Sequence, residues 1–409
     1  MTTEPEKEPP LEASGAGPLR IATALDTITP RAGGLFHSVR SLSQGLSEAG
    51  HQVTVFAVDD VDSGSVRADW APLEIRLLRP RGPRRLGFPS GLVRELQRGS
   101  YDVVHQHGIW QAMSHSTARW RSDTPAGGAL VLSPRGMLDP WGLKHGRFKK
   151  WIAHATYQRR AFSRSDCLHA LNEAELRAIR SFGLRTPVAV IPNGVDLSTT
   201  ESATERPAWR DEIPAGCRVA LFVGRLHPKK GLPIALRALS ALTPTSRHAW
   251  HLAIAGWGIA SYVRELETLV SELDLTERVH FLGPLFRDDK LAALRVSDLF
   301  VLPSLSEGHP MAALEALAQR TPALLTDQCH LESASEAGAS LSTEASLDGF
   351  LAGWKAIDQL DAAGLQVMGD RGRRYVEESC GWPDIVEKMG SVYRWLAGNG
   401  EMPSCVDTS

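Results

Sequence analysis

The 409-residue sequence is poor in cysteine, and its five cysteines (Cys167, Cys217, Cys329, Cys380 and Cys405) are scattered, odd in number and without a CxxC spacing. This argues against a disulfide framework or a cysteine metal site, and free thiols in a reducing cytoplasm are the expectation. Long apolar runs are missing too. The longest, such as Val219 to Val223, are strand-sized, well short of the about 18 residues that a spanning helix needs. The first seventeen residues have no apolar centre, being broken by Pro5, Pro9, Pro10 and four glutamates. They read as a disordered tail, not a secretory signal. No GxGxxG follows the first strand of either half, which argues against a nicotinamide or flavin oxidoreductase. A large net charge is also lacking, since the whole chain carries only −2.

That small value hides an asymmetry. Pro18 to Val195 holds 24 Lys and Arg against 14 Asp and Glu, whereas Asp196 to Ser409 holds 20 against 29. The basic half is the place to expect long-range attraction to anions. Nucleic acid is not the expected partner, because the cations are not interleaved with stacking aromatics or set in a reading motif.

The length suits two domains. Short β-branched runs alternate with helical patterns throughout, the signature of α/β architecture with parallel sheets. In the first half the runs are Arg20 to Leu25, Val53 to Val58, Val103 to His105, Ala129 to Leu132 and Val188 to Ile191. In the second they are Val219 to Val223, Leu252 to Ala255, Val279 to Leu282, Leu299 to Leu302 and Ala323 to Leu325. A Pro-, Thr- and Glu-rich stretch near 198–214 reads as the linker between them. The boundaries expected are a tail at 1–17, a Rossmann-like acceptor domain at 18–197, a Rossmann-like donor domain at 198–380, a docking helix at 381–398 and a flexible tail at 399–409.

In doubly wound sheets ligands sit beyond the carboxyl ends of the strands. After the first strand, Gly33-Gly34 precedes a helix, whose free amides suit an anion. The third strand runs into Gln106-His107-Gly108, with His105 and His107 on one side of it by period-two alternation. In the second half, Gly224-Arg225 and Lys230-Gly231 place a guanidinium and an ammonium before a helix, an arrangement fit for a diphosphate leaving group. Further on, Glu307 precedes a helix in which Pro310 suits the first position, and Glu315 is expected about two turns inside it. The amides of Met311 and Ala312 would lie between these carboxylates, which are natural acceptors for sugar or ribose hydroxyls.

Taken together, these residues resemble the family-4 retaining glycosyltransferases of GT-B fold. The resemblance runs from Leu19 to Leu396. It rests on Gly33-Gly34, the Asp102 to His107 strand, Ile191-Pro192-Asn193-Gly194-Val195-Asp196, Gly224-Arg225 with Lys230-Gly231, and the pair Glu307 and Glu315. Ser133-Pro134-Arg135-Gly136-Met137-Leu138 and Thr326-Asp327-Gln328-Cys329 look like one subgroup. Departures occur at Gln319-Arg320, where Cys-Gly is usual, and at His330 and Glu332.

The resemblance implies a sugar nucleotide held by the C-terminal domain. Arg225 and Lys230 would meet the diphosphate, Glu315 the ribose, Glu307 the transferred sugar, with His309, Met311 and Ala312 beside it. His107 would approach the donor sugar, Gly34 the phosphates, and Gly33, Arg135 and Asn193 the acceptor side. The final helix would cross back onto the N-terminal domain. Retention without a metal ion or other cofactor is implied, with a glycan or lipid-linked acceptor. Competing readings on the same architecture are a sugar-nucleotide epimerase or hydrolase, and a silent binding module. Between Lys144 and Arg164 seven basic residues and no acidic one accompany Phe148, Trp151, Ile152 and Tyr157. On a helix that mixture suits either peripheral contact of the basic half with an anionic membrane, at its inner face, or a core-packed helix with a solvated basic face.

Overall fold

A computed structural model describes residues 17–60, 62–82, 88–125, 127–144, 146–197, 206–242 and 249–409. Nearly all of the 1–17 tail and the first part of the 198–214 stretch lie outside the described residues. Two large, mainly parallel sheets with helices on both faces make up most of the molecule, beside a two-stranded antiparallel pair, Pro80–Arg81 with Phe88–Pro89.

The first sheet has eight strands. In spatial order they are Val406–Asp407, Val188–Val190, Cys167–Ala170, Ala129–Ser133, Val103–His107, Arg20–Leu25, Gln52–Val58 and Glu74–Leu78. The second has six: Val279–Gly283, Trp250–Ala255, Arg218–Val223, Leu299–Leu302, Ala323–Thr326 and Ser340–Thr343. Strands buried on both faces read as unbroken apolar runs. Arg218–Val223 and Trp250–Ala255 are buried at every position. In each sheet the strand order reverses beside the first strand, between Arg20–Leu25 and Val103–His107 and between Arg218–Val223 and Leu299–Leu302. Ligand crevices open at such reversal points.

The last helix, Trp382–Leu396, crosses back to the first sheet. Its Ile385, Met389, Val392 and Tyr393 are buried with Leu19, Ile21, Leu42 and Val103. The fit is close, since a Cβ on Gly45 would lie 2.5 Å from Val386.

One expectation is corrected here. Residues 399–409 are not a flexible tail: Val406 and Asp407 pair antiparallel with Ala189 and Val188, and Asp407 forms an ion pair with Arg180. The otherwise open edge of the first sheet supplies the unpaired backbone groups that capture this segment.

Candidate functional site

A cleft of about 980 Å³ lies where the carboxyl ends of the two sheets face each other. Arg225 follows Arg218–Val223, and Glu307 follows Leu299–Leu302, so the two flank the reversal point of the second sheet. The Arg225 loop continues through a turn at Pro228–Lys230 into the helix Leu232–Ala241. Gly231 joins them at φ +65°, and a Cβ there would lie 1.9 Å from the Pro303 carbonyl oxygen. Only glycine combines that conformation with that approach.

Lys230 Nζ donates to Glu307 Oε1 at 2.6 Å, and Ser304 Oγ donates to the same oxygen at 2.5 Å. Burial alone would raise the Glu307 carboxyl, but Lys230, Lys229 and the two donated bonds outweigh it and hold it below the ordinary range. Glu307 is therefore an anion with one oxygen committed and one open. Its amide is fixed as well, donating to Gln328 O at 2.8 Å. The Thr326 to Cys329 segment thus acts as a buttress behind Glu307.

Glu315 lies on the helix Met311–Ala318, and its Oε1 accepts from Lys290 Nζ at 2.6 Å. The helix begins at Met311 with Pro310 as its cap, so Glu315 stands a little over one turn inside, not two. Among the described residues, the Met311 and Ala312 amides have no backbone acceptor, as is general for a first turn. Arg225 is exposed and, among the described residues, makes no ion pair. It crosses toward the other domain, with its Nε 3.4 Å from where a Cβ on Gly33 would be. Gly34 meets Met311 across the same gap, at 3.7 Å by the same measure.

Arg135 and Asn193 form the opposing wall. Arg135 Nη1 donates to Asn193 Oδ1 at 2.7 Å and Nη2 to His107 Nδ1 at 2.8 Å. Burial lowers the Arg135 guanidinium to about 10, still charged at neutral pH. Asn193 N donates to His309 Nδ1 at 3.3 Å, joining the two domains, and burial lowers His309 to about 4. Two further bridges are Asn172 Nδ2 to Gly308 O at 2.6 Å and Ser306 Oγ to Asp139 Oδ1 at 2.9 Å.

His107 departs from expectation. It is only 1% exposed, does not line the cleft, and lies behind Arg135 with its ring 3.9 Å from that of His105. The strand extends two residues beyond His105, so His107 remains inside the sheet layer. Burial first, then His105 and Arg135, push it well below the usual histidine value. It is a neutral acceptor that fixes Arg135.

Sequence reasoning missed Lys290, Ser304, Trp257 and Phe286. The last two line the cleft at its rim, with ring centroids 6.1 Å apart. Ser304, Trp257 and Phe286 follow strands of the second sheet closely, and the rule that singled out Arg225 applies equally to them, whereas Lys290 lies inside the helix Arg287–Arg295. Among the described residues no group of three or more His, Cys, Asp or Glu is placed to hold a metal ion.

Two family models match in succession: Glycosyltransferase Family 4 over residues 32–199 and Glycosyl transferases group 1 over 205–374. The chain belongs to the family-4 glycosyltransferases. The D-inositol 3-phosphate glycosyltransferase of Kineococcus radiotolerans is 29% identical over 404 residues, covering 90% of this chain and 91% of that one. Among solved structures, HepE of Anabaena in complex with UDP-glucose superposes with TM-score 0.74 at 18% identity, over 90% of this glycosyltransferase and 98% of HepE. Sucrose-phosphate synthase from Thermosynechococcus elongatus gives 0.72 at 19%, over 93% and 99%. These likenesses show the fold of the glycosyltransferase.

Proposed function

We propose that this glycosyltransferase takes its sugar from a nucleoside-diphosphate sugar, a UDP- or GDP-sugar, and passes it to a hydroxyl of a glycan or lipid-linked acceptor. Anomeric configuration is retained, and no metal ion is required. The observation that carries this reading is Arg225, an exposed cation without an ion-pair partner among the described residues, beside Lys230 at the reversal point of the second sheet. A diphosphate placed there meets both cations, which take the part a metal ion would otherwise have in stabilising the leaving group. HepE's complexes with UDP and UDP-glucose support the donor class.

In this reading Glu315 accepts from the ribose hydroxyls and Trp257 and Phe286 flank the base. The open oxygen of Glu307 and the amides of Met311 and Ala312 receive the sugar. Because Glu307 already holds Lys230 and Ser304, it is assigned to sugar binding, not to covalent attack. The acceptor hydroxyl then approaches on the face of the leaving diphosphate, whose oxygen takes its proton as the bond to the anomeric carbon breaks. Arg135, set by His107 and Asn193, lines the side from which the acceptor enters.

A thermal-shift panel of UDP, GDP, ADP and TDP and their sugars, run in EDTA, tests the donor and metal assignments together. UDP or GDP is expected to raise the melting temperature without added metal. Proton NMR of the product with acceptor present is expected to show the donor's anomeric configuration. Stabilisation that appears only with a divalent ion, or an isomerised sugar nucleotide formed without acceptor, contradicts the proposal.

A further inference from the structure

The segment of residues 140–144 and 146–164 borders the cleft yet turns part of its surface to solvent without a partner among the described residues. Helices Pro140–Lys144, Arg147–Ala153 and Arg159–Arg164 carry it. Its rear is fixed. Ala161 and Phe162 are buried in the first domain, and Tyr157 Oη and Gln158 Oε1 are bonded to the backbone of Trp110 at 2.9 Å each. Its front is Arg147–Ile152, where every residue except Lys150 is exposed. Phe148 and Trp151 are 71% and 66% exposed, with rings stacked on each other at 6.2 Å and 22°. Among the described residues nothing beyond their own stacking covers them, so packing there does not need them.

We infer that this front is a membrane-docking surface for anionic lipid. Two large aromatic side chains and Ile152 supply the apolar insertion, and Lys144, Arg147 and Lys149 beside them face the headgroups, with no acidic residue between Lys144 and Arg164. A protein partner of ordinary composition would have to offer both an apolar socket and a compensating acidic ring, whereas an anionic bilayer presents both everywhere. The other side of the segment is a wall of the cleft, through Trp141, Gly142 and Lys150. Lys150 Nζ donates to Gly142 O, and Lys229 from the second domain lies 5.7 Å over the Trp141 ring. Docking therefore brings the acceptor side of the cleft to the lipid surface. Resting on the transferase reading above, this narrows the acceptor to one anchored in the membrane.

The test is sedimentation of the full chain with vesicles of phosphatidylcholine alone, or of phosphatidylcholine and phosphatidylglycerol in equal parts. Wild type is expected in the pellet with the mixed vesicles only, and less so as salt rises. A Phe148→Ser, Trp151→Ser double variant and an Arg147→Glu, Lys149→Glu double variant should each lose about tenfold or more in partition. Both change exposed residues, so each should keep the wild-type melting temperature and nucleotide response, which separates this inference from the donor assignment. Equal recovery on neutral and anionic vesicles, or variants that bind as wild type does, overturns it. So does a lipid-free dimer that the aromatic variant abolishes, which would make the surface a contact between two copies.

Discussion

Glu307 and Glu315 are both ion-paired at 2.6 Å, yet the proposed reading gives them different work. Glu315 with Lys290 sits a turn inside its helix, while Glu307 shares its oxygen with Lys230, a cation the diphosphate also needs. Glu315→Gln should weaken free UDP or GDP about tenfold, the loss of one charge-assisted hydrogen bond. Glu307→Gln should leave free nucleotide diphosphate bound as well or better, because Lys230 is released to it, while transfer collapses. Calorimetry and a turnover assay on the two variants decide this. Equal losses for nucleotide and sugar nucleotide in both would contradict the division. His309 gives a pH signature. Held to about 4 by burial, it refuses a proton that the unfolded chain accepts below about 6.5. Stability therefore falls as pH drops from about 6.5 to 4, by about 1.4 kcal/mol per unit for each such histidine. His309→Gln should remove about one proton from that slope in chemical denaturation at several pH values, and an unchanged slope would place His309 in contact with water.

At the scale of elements, loops after strands carry the chemistry, and their glycines fix the approach. Gly231→Ala meets both a left-handed φ and the Pro303 oxygen at 1.9 Å; Gly283→Ala, at φ +71°, meets open space. The second should cost about 1 kcal/mol. The first should cost at least about 3 and impair nucleotide binding, since it displaces the Lys230 turn against Pro303. Urea unfolding of both variants separates conformation from collision, and equal costs would contradict the contact. Strands buried on both faces were legible as apolar runs. Glu74–Leu78, Cys167–Ala170 and Ser340–Thr343 were not, because His169, Arg76 and the serines interrupt their pattern. Val406–Asp407 is two residues long, and its pairing to Val188–Val190 depends on tertiary proximity that no local pattern encodes. Arg225, Lys230 and Glu307 were legible from their place after strands and Glu315 from the helix that follows, but Lys290, inside the helix Arg287–Arg295, was not. What they hold was not, since Lys230 with Glu307 and Lys290 with Glu315 are meetings of distant segments. His107 shows the limit most plainly: alternation placed it on one side with His105, but only the position of Arg135 decides that it lies behind the cleft wall.

For the whole molecule, Arg225, Lys229, Lys230, Arg287 and Lys290 of the acidic second half line the cleft, and Arg40, Arg135 and Lys150 of the basic first half line it from the other side. Among the described residues the halves touch through polar contacts that include Asn172 to Gly308, Asn193 to His309, Ser306 to Asp139, the ion pair Arg287 to Asp69 and Lys229 over Trp141, and polar interfaces of this kind commonly permit hinge motion. Bound donor would add contacts across it, so solution scattering should show a smaller radius of gyration at saturating sugar nucleotide, and an unchanged radius would favour a rigid cleft. On the proposed reading the donor is held only if its diphosphate meets Arg225. Calorimetric titration of UDP and GDP into wild type and Arg225→Ala, in EDTA, is the direct test. Binding of at least one nucleotide to wild type is expected, with about tenfold or greater weakening in the variant and its melting temperature kept; equal affinity in the two proteins would rule out diphosphate contact at Arg225.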